Sequence, residues 1–129
     1  MHLLINLSEK DKIQLVLFNK SDFNQTSYSG QNRDLLASID SFLKKQNFEI
    51  KNLNGIMAVV GAGGFTSTRI AVVVGNTLAY TLKIPILAIQ ENQIKKIQEL
   101  IPDLLQQPIG QYISATYSGM PNITTPKKE

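Results

Sequence analysis

Cysteine is absent from this chain, which excludes disulfides and thiolate metal sites. Histidine occurs once, as His2 beside Met1, where a surface or strand-edge residue is expected rather than a catalytic base. Acids do not cluster with it. Glu9 and Asp11 stand together in a short polar link with no further ligand type nearby, so a solvated turn is the reading. No apolar run approaches the ~20 residues that span a bilayer. Met1–Leu7 is too short for the apolar core of a secretory signal and has no basic flank. A cytoplasmic protein without membrane contact is therefore expected. Charge is sparse as well: 18% of residues are charged and the net charge is +3. Two of those positive charges are Lys127 and Lys128, so the body of the chain is nearer neutral, and a nucleic-acid grip through them alone would be weak. No internal repeat is present.

What remains is 129 residues, 43% hydrophobic, enough for one domain with a real core. Residues 3–7 read as a strand. Residues 13–18 read as a second, with Ile13, Leu15 and Leu17 alternating against Lys12, Gln14 and Val16. The polar link Ser8–Asp11 makes them a hairpin. After the turn Asn19–Asp22, residues 23–28 form a third, weaker strand. Residues 32–46 read as an amphipathic helix with Leu35, Leu36, Ile39, Phe42 and Leu43 on one stripe, ended by Asn47. Residues 56–60 are a buried strand. Residues 66–82 carry the β-branched run Val72-Val73-Val74, yet the apolar pattern persists for about four helical turns, which favours helix. Its apolar side chains surround nearly the whole cylinder, and Ala71, Gly75 and Ala79 recur every four residues as a track for close packing. Residues 84–89 are a strand with Pro85 near its start. Residues 93–106 are a third helix, with Ile94, Ile97, Leu100, Ile101, Leu104 and Leu105 on one face and Pro102 as a kink or boundary. Residues 1–107 are thus expected to form the domain. Residues 108–129, rich in proline and glycine, read as an extended tail that places Tyr112, Ile113 and Tyr117 on apolar surface or against a partner.

Gly61-Ala62-Gly63-Gly64-Phe65-Thr66-Ser67-Thr68-Arg69 joins a strand to a helix. Three glycines in four positions suit a turn with unusual backbone angles. Thr66 is the expected N-cap. Such a turn can cradle an anion at the helix N-terminus or serve as a structural corner. It is not a P-loop, because the G-K-[ST] ending is absent. Arg69, near that N-terminus, opposes the helix dipole, so an anionic partner in a structural or interface ion pair is expected for it. Ser67 has no base to activate it.

This stretch resembles the G-P-G-S-F-T-G-x-R motif of the TsaB (YeaZ) family. Gly61, Gly63, Phe65, Thr66 and Arg69 match in register, followed by Ile70, Leu78, Ala79 and Ile84-Pro85-Ile86. The resemblance covers roughly residues 1–90. It implies a single α/β domain of ribonuclease-H-like topology, from the actin/Hsp70/sugar-kinase superfamily, with a mixed sheet and flanking helices. It also implies a non-catalytic partner of TsaD in making N6-threonylcarbamoyladenosine at position 37 of certain tRNAs. Family members pair with TsaD through their first two helices, here 32–46 and 66–82. Leu35, Ile39, Phe42, Ala71, Gly75, Leu78 and Ala79 are the interface residues so implied. ATP and a divalent metal belong on TsaD, TsaE joins through the complex, and tRNA is met only indirectly.

The chain departs from the family in two places. The superfamily ends its first strand with an aspartate and a threonine, whereas Asn6 and Leu7 stand here. A neutral amide is a poor ligand for a hard divalent cation. The second copy of the fold, usual in the family, is not recognisable after residue 90, although Pro121-Asn122-Ile123-Thr124 resembles the family's C-terminal end. Neither catalytic nor metal-binding residues are assigned, and a cofactor site is left open. The alternatives are a nucleotide-binding enzyme of the superfamily that uses the glycine turn, and a homodimer that covers the same apolar helix.

Overall fold

The computed structural model describes residues 1–61 and 65–114. Five strands form one mixed sheet: β1 (His2–Asn6), β2 (Lys12–Phe18), β3 (Phe23–Ser29), β4 (Gly55–Val59) and β5 (Ile86–Ile89). Their order is β3-β2-β1-β4-β5. The first three are an antiparallel meander, and β4 and β5 run parallel to β1. Helix α1 (Leu35–Lys45) connects β3 to β4, and α2 (Phe65–Leu82) carries the chain from β4 to β5. A 3-10 segment, Glu91–Leu100, and the short α3 (Ile101–Leu105) follow. This is the expected ribonuclease-H-like α/β arrangement.

Alternation along the strands divides the core in two. Leu3 and Ile5 of β1, with Ile13, Leu15 and Leu17 of β2, meet Leu35, Ile39 and Phe42 of α1 and Ala71 and Ala79 of α2. On the other face Leu4, Val16, Phe18, Met57 and Val59 meet Ile97, Ile101 and Leu104. Both faces are covered, so the central strands are buried along their whole length. Val16 is thereby corrected. The alternation put it with the polar positions, but the layer made by 91–105 buries it.

Helix ends follow local chemistry. The Gln31 backbone N–H donates to the Asp34 carboxylate at 2.9 Å, holding the turn that leads through a short 3-10 stretch into α1. Asn47 adopts φ 54°, and the Phe48 N–H reaches back to the Leu43 carbonyl at 3.0 Å, which stops α1 where expected. Lys83 (φ 57°) ends α2 in the same way. Leu36, expected on the α1 stripe, is 59% exposed, because the sheet contacts only the arc through Leu35, Ile39, Phe42 and Leu43.

The third helix also differs from expectation. Residues 91–100 are 3-10 and break at Lys96 (φ −114°, ψ 17°), and a regular α-helix begins only at Ile101 with Pro102 in its first turn. Proline is at home there, since its missing N–H is unpaired in a first turn anyway. Leu105 points away from the core. The segment lies close to the sheet because Gly55 has no side chain: a Cβ there would stand 2.6 Å from Leu104 Cδ2.

His2 is the largest departure. It lies in the central strand β1, is 5% exposed, and has its ring 5.5 Å from that of Phe18. Its Nδ1 is buried without a hydrogen-bond partner. Burial, and secondarily the Met1 ammonium, push its pKa from the ordinary 6.5 down to about 4.

Candidate functional site

Two features are candidates: the end of β1 with the glycine turn, and the outward face of α2. At the first, Asn6 is buried and fully engaged. Its Nδ2 donates to Gln14 Oε1, and its Oδ1 accepts the Ser8 backbone N–H at 2.9 Å. Ser8 Oγ in turn donates to Glu91 Oε2 at 2.9 Å. The amide therefore closes the β1–β2 link, and its neutral oxygen is not directed at any ligand cluster. Among the described residues no group of three His, Cys, Asp or Glu could hold a metal ion, and no helix is long and apolar enough to cross a membrane.

Gly61 (φ 75°) is exposed at the end of β4, in the left-handed conformation its residue type permits. Gly63 lies outside the described residues. Helix α2 begins at Phe65, so Thr66 sits inside the first turn and is not the N-cap. Thr68 is buried and Arg69 exposed. Lys10, Asp11, Gln31, Arg33, Ser67 and Ile70 line an open cavity of about 430 Å³ beside this turn. Sequence reasoning did not find Lys10 and Arg33, because only the fold brings the β1–β2 link and the approach to α1 beside α2.

The apolar circumference of α2 resolves into an inner and an outer arc. Thr68, Ala71, Val72, Gly75 and Ala79 face the sheet. A Cβ on Gly75 would meet Ile86 Cδ1 at 3.1 Å, Ile56 Cγ2 at 3.8 Å and Ala58 Cβ at 3.9 Å. The small-residue track thus seats α2 on β4 and β5. Of the implied interface residues, Leu35, Ile39, Phe42, Ala71, Gly75 and Ala79 lie in the chain's own core, and Leu78 is half-buried against it. The first six expose almost no area in this fold, and Leu78 keeps part of its surface. The outer arc holds Val73, 62% exposed, and Tyr80, 64% exposed.

The chain itself returns to that outer arc. Asn76 Nδ2 donates to the Ile113 carbonyl at 3.1 Å, and its Oδ1 accepts the Ile113 N–H at 3.0 Å. One side-chain amide so satisfies both backbone groups of Ile113, as a neighbouring strand would. Tyr112 then lies with its ring 6.4 Å from Tyr80. Val73, Asn76, Thr77, Tyr80 and Tyr112 line a shallow cavity of about 310 Å³. The expectation that Tyr112 and Ile113 meet apolar surface matches this placement, while Tyr117 and Lys127–Lys128 lie outside the described residues. Asn76→Ala is expected to release residues 111–114 from α2, costing about 1–2 kcal/mol of local stability. Hydrogen exchange at the Ile113 amide should accelerate without loss of the global fold; unchanged protection would show that apolar contact alone holds the strap.

Residues 29–120 match the family model described as "TsaD: tRNA N6-adenosine threonylcarbamoyltransferase". YeaZ from Pseudomonas aeruginosa shares the fold with a TM-score of 0.65 and 21% identity, over 79% of this chain and 50% of that one. A second solved structure, described as an uncharacterized protein with similarity to peptidase YEAZ from Pseudomonas aeruginosa, aligns with a TM-score of 0.66 and 21% identity, over 78% and 47%. The chain spans about half the length of these structures. No curated protein matches it.

Proposed function

The chain belongs to the TsaD family, and from that premise we propose that it is a TsaB-like partner of TsaD in the synthesis of N6-threonylcarbamoyladenosine in tRNA, with no catalysis of its own. The partner docks on the exposed arc of α2, with the neighbouring α1 completing the surface. ATP and the divalent metal reside on TsaD. TsaE engages through the complex, tRNA is met only indirectly, and the assembly works in the cytoplasm.

The observation that carries this reading is the apolar outer face of α2. Val73, Tyr80 and Tyr112 are each more than 60% exposed and line one shallow cavity. Large aromatic and aliphatic groups grouped on one surface are what interfaces use as anchors. Leu36 adds an exposed apolar side chain on α1. The amide at Asn6, occupied by Gln14 and Ser8, supports the absence of metal–phosphate chemistry on this chain.

Val73→Asp with Tyr80→Asp is expected to weaken binding to TsaD by about a hundredfold, because a desolvated charge replaces an anchor. Far-UV circular dichroism should be unchanged, since both side chains lie outside the core. Undiminished binding by the folded double variant would remove α2 from the interface. ATP hydrolysis or threonylcarbamoyl transfer by the purified chain alone would overturn the non-catalytic assignment.

The cavity beside the glycine turn favours a second reading, nucleotide binding by this chain. Lys10 and Arg33 line it together with Ser67. Equilibrium dialysis with ATP, comparing the wild type with Lys10→Gln/Arg33→Gln, separates the two readings.

A further inference from the structure

We propose that this chain forms a twofold dimer by pairing β3 with β3 of a second copy, making one continuous sheet across the two subunits. β3 is an edge strand, bonded only to β2. Native sheets guard such edges with charged residues, proline, bulges or shortness. Phe23–Ser29 has none of these. It contains no charged residue and no proline, and it pairs one-to-one with β2 over all seven residues. Its side chains make no hydrogen bond to the rest of the described residues, and most are exposed.

The ladder shows which groups stand free. Asn19 N–H donates to the Asp22 carbonyl at 2.9 Å, and Gly30 N–H donates to the Asp11 carbonyl at 3.1 Å. These mark bonded pairs at the two ends of the β2–β3 register. Bonded and non-bonded pairs alternate along an antiparallel ladder. Asn24, Thr26 and Tyr28 therefore turn their backbone groups toward β2. Phe23, Gln25, Ser27 and Ser29 turn theirs outward.

One register then satisfies the whole edge. With Thr26 on a twofold axis, Gln25 lies opposite Ser27 of the second copy and Phe23 opposite Ser29. All four outward residues fall in bonded pairs, so every outward N–H and C=O of both strands finds a partner. The strand is neutral, so self-pairing sets no like charges against each other. Phe23, 45% exposed in the single chain, gains a cross-strand neighbour. The pairing uses up both free β3 edges, so assembly closes at two copies. A second copy is thus the occupant that matches this strand in length, charge and hydrogen-bond pattern. The surface is separate from the outer face of α2, which packs on β4 and β5 at the other side of the sheet.

Sedimentation velocity of the full chain up to roughly 0.5 mM is expected to show a monomer–dimer equilibrium and nothing larger, as suits a small interface. Ser27→Pro removes an outward donor while leaving the bonds to β2 intact, because proline is tolerated on an edge strand where its nitrogen faces solvent. It should yield a folded monomer. Gln25→Lys/Ser27→Lys sets lysine against lysine across the axis and should raise the dissociation constant at least about tenfold. Gln25→Lys/Ser27→Glu sets opposite charges together and should restore the dimer. Val73→Asp should leave it unchanged. A chain that stays monomeric throughout overturns the proposal. So does growth beyond the dimer, or a dimer that survives the double lysine variant or is lost with Val73→Asp. Should Ser27→Pro fail to fold by circular dichroism, the two charge variants decide the question.

Discussion

Gly75→Leu is expected to destabilise the domain by about 3 kcal/mol. A bare Cβ at residue 75 already stands 3.1 Å from Ile86 Cδ1, with Ile56 and Ala58 just behind. Leucine drives three further carbons into the seam where α2 rests on β4 and β5. Ile86 is 3% exposed, and Ile56 and Ala58 are fully buried, so they can give by a few tenths of an ångström but not by the width of a leucine. Overpacking of a tight core costs about 1–3 kcal/mol and occasionally more, and this site belongs at the upper end. A single-domain protein has only about 5–15 kcal/mol in total. Urea titration should show the midpoint falling sharply. Gly75→Ala is the graded control. The single methyl asks Ile86 to shift by a few tenths of an ångström, while alanine favours helix over glycine by about 1 kcal/mol, so the two effects nearly cancel. Loss of binding to TsaD, the proposed partner, in Gly75→Leu would then report a weakened fold, whereas loss in the Val73 and Tyr80 variants would report the proposed interface. A Gly75→Leu protein with a native urea midpoint would mean that α2 does not seat on the sheet at this residue.

Stability should fall steeply in mild acid because of His2. Its pKa is about 4 in the folded chain, against 6.5 for an unhindered imidazole. Between those values the unfolded chain binds a proton that the folded chain does not. Stability therefore rises with pH through this window; the contribution is complete above about pH 6.5 and is lost as pH falls toward 4. Unscreened, a shift of this size would correspond to about 3 kcal/mol, and solvent screening around the partly accessible site brings the loss below that. The cause is physical exclusion. The ring lies among Phe18, Gly55 and Leu104 with Nδ1 unpartnered, and the Met1 ammonium opposes a second positive charge. That ammonium is itself held below its ordinary 8.0 by burial. His2→Phe keeps a ring against Phe18 and removes the titration. Urea midpoints for both proteins from pH 4 to 7 should converge in neutral solution relative to acid, with the wild type alone showing the His2 loss. Parallel slopes would show that the imidazole does not titrate in that window.

Much of the architecture was legible in the chain itself. A period of two marked β2, a stripe at helical spacing marked α1, and the glycine-rich stretch between apolar segments marked the passage from β4 to α2. Length decided helix over strand for the valine run. Asn47 ended α1 because asparagine tolerates the left-handed conformation found there. The motif Gly61–Arg69 pointed to the family that the residue 29–120 match established. These features depend on what a segment's own residues prefer, and local preference is written locally.

Other features were decided only when distant segments met. Val16 and His2 carry no sign in their neighbours that residues 91–105 will cover them. A helix apolar on all sides does not say which arc will meet the sheet, so Ala71, Gly75 and Ala79 read as readily as a partner's seat as they do as the seat on β4 and β5. Asn76 became a docking point for Ile113, 37 residues away, through a side-chain amide that looks like a polar surface residue in isolation. Lys10 and Arg33 joined Ser67 around one cavity for the same reason. The sequence by itself determined the strands, the first two helices and their approximate bounds, because backbone sterics and hydrophobic period act over a few residues. Tertiary structure alone decided which faces are inside, which polar groups are left unpaired and which surfaces remain for a partner, because burial depends on what is laid across from elsewhere in the chain.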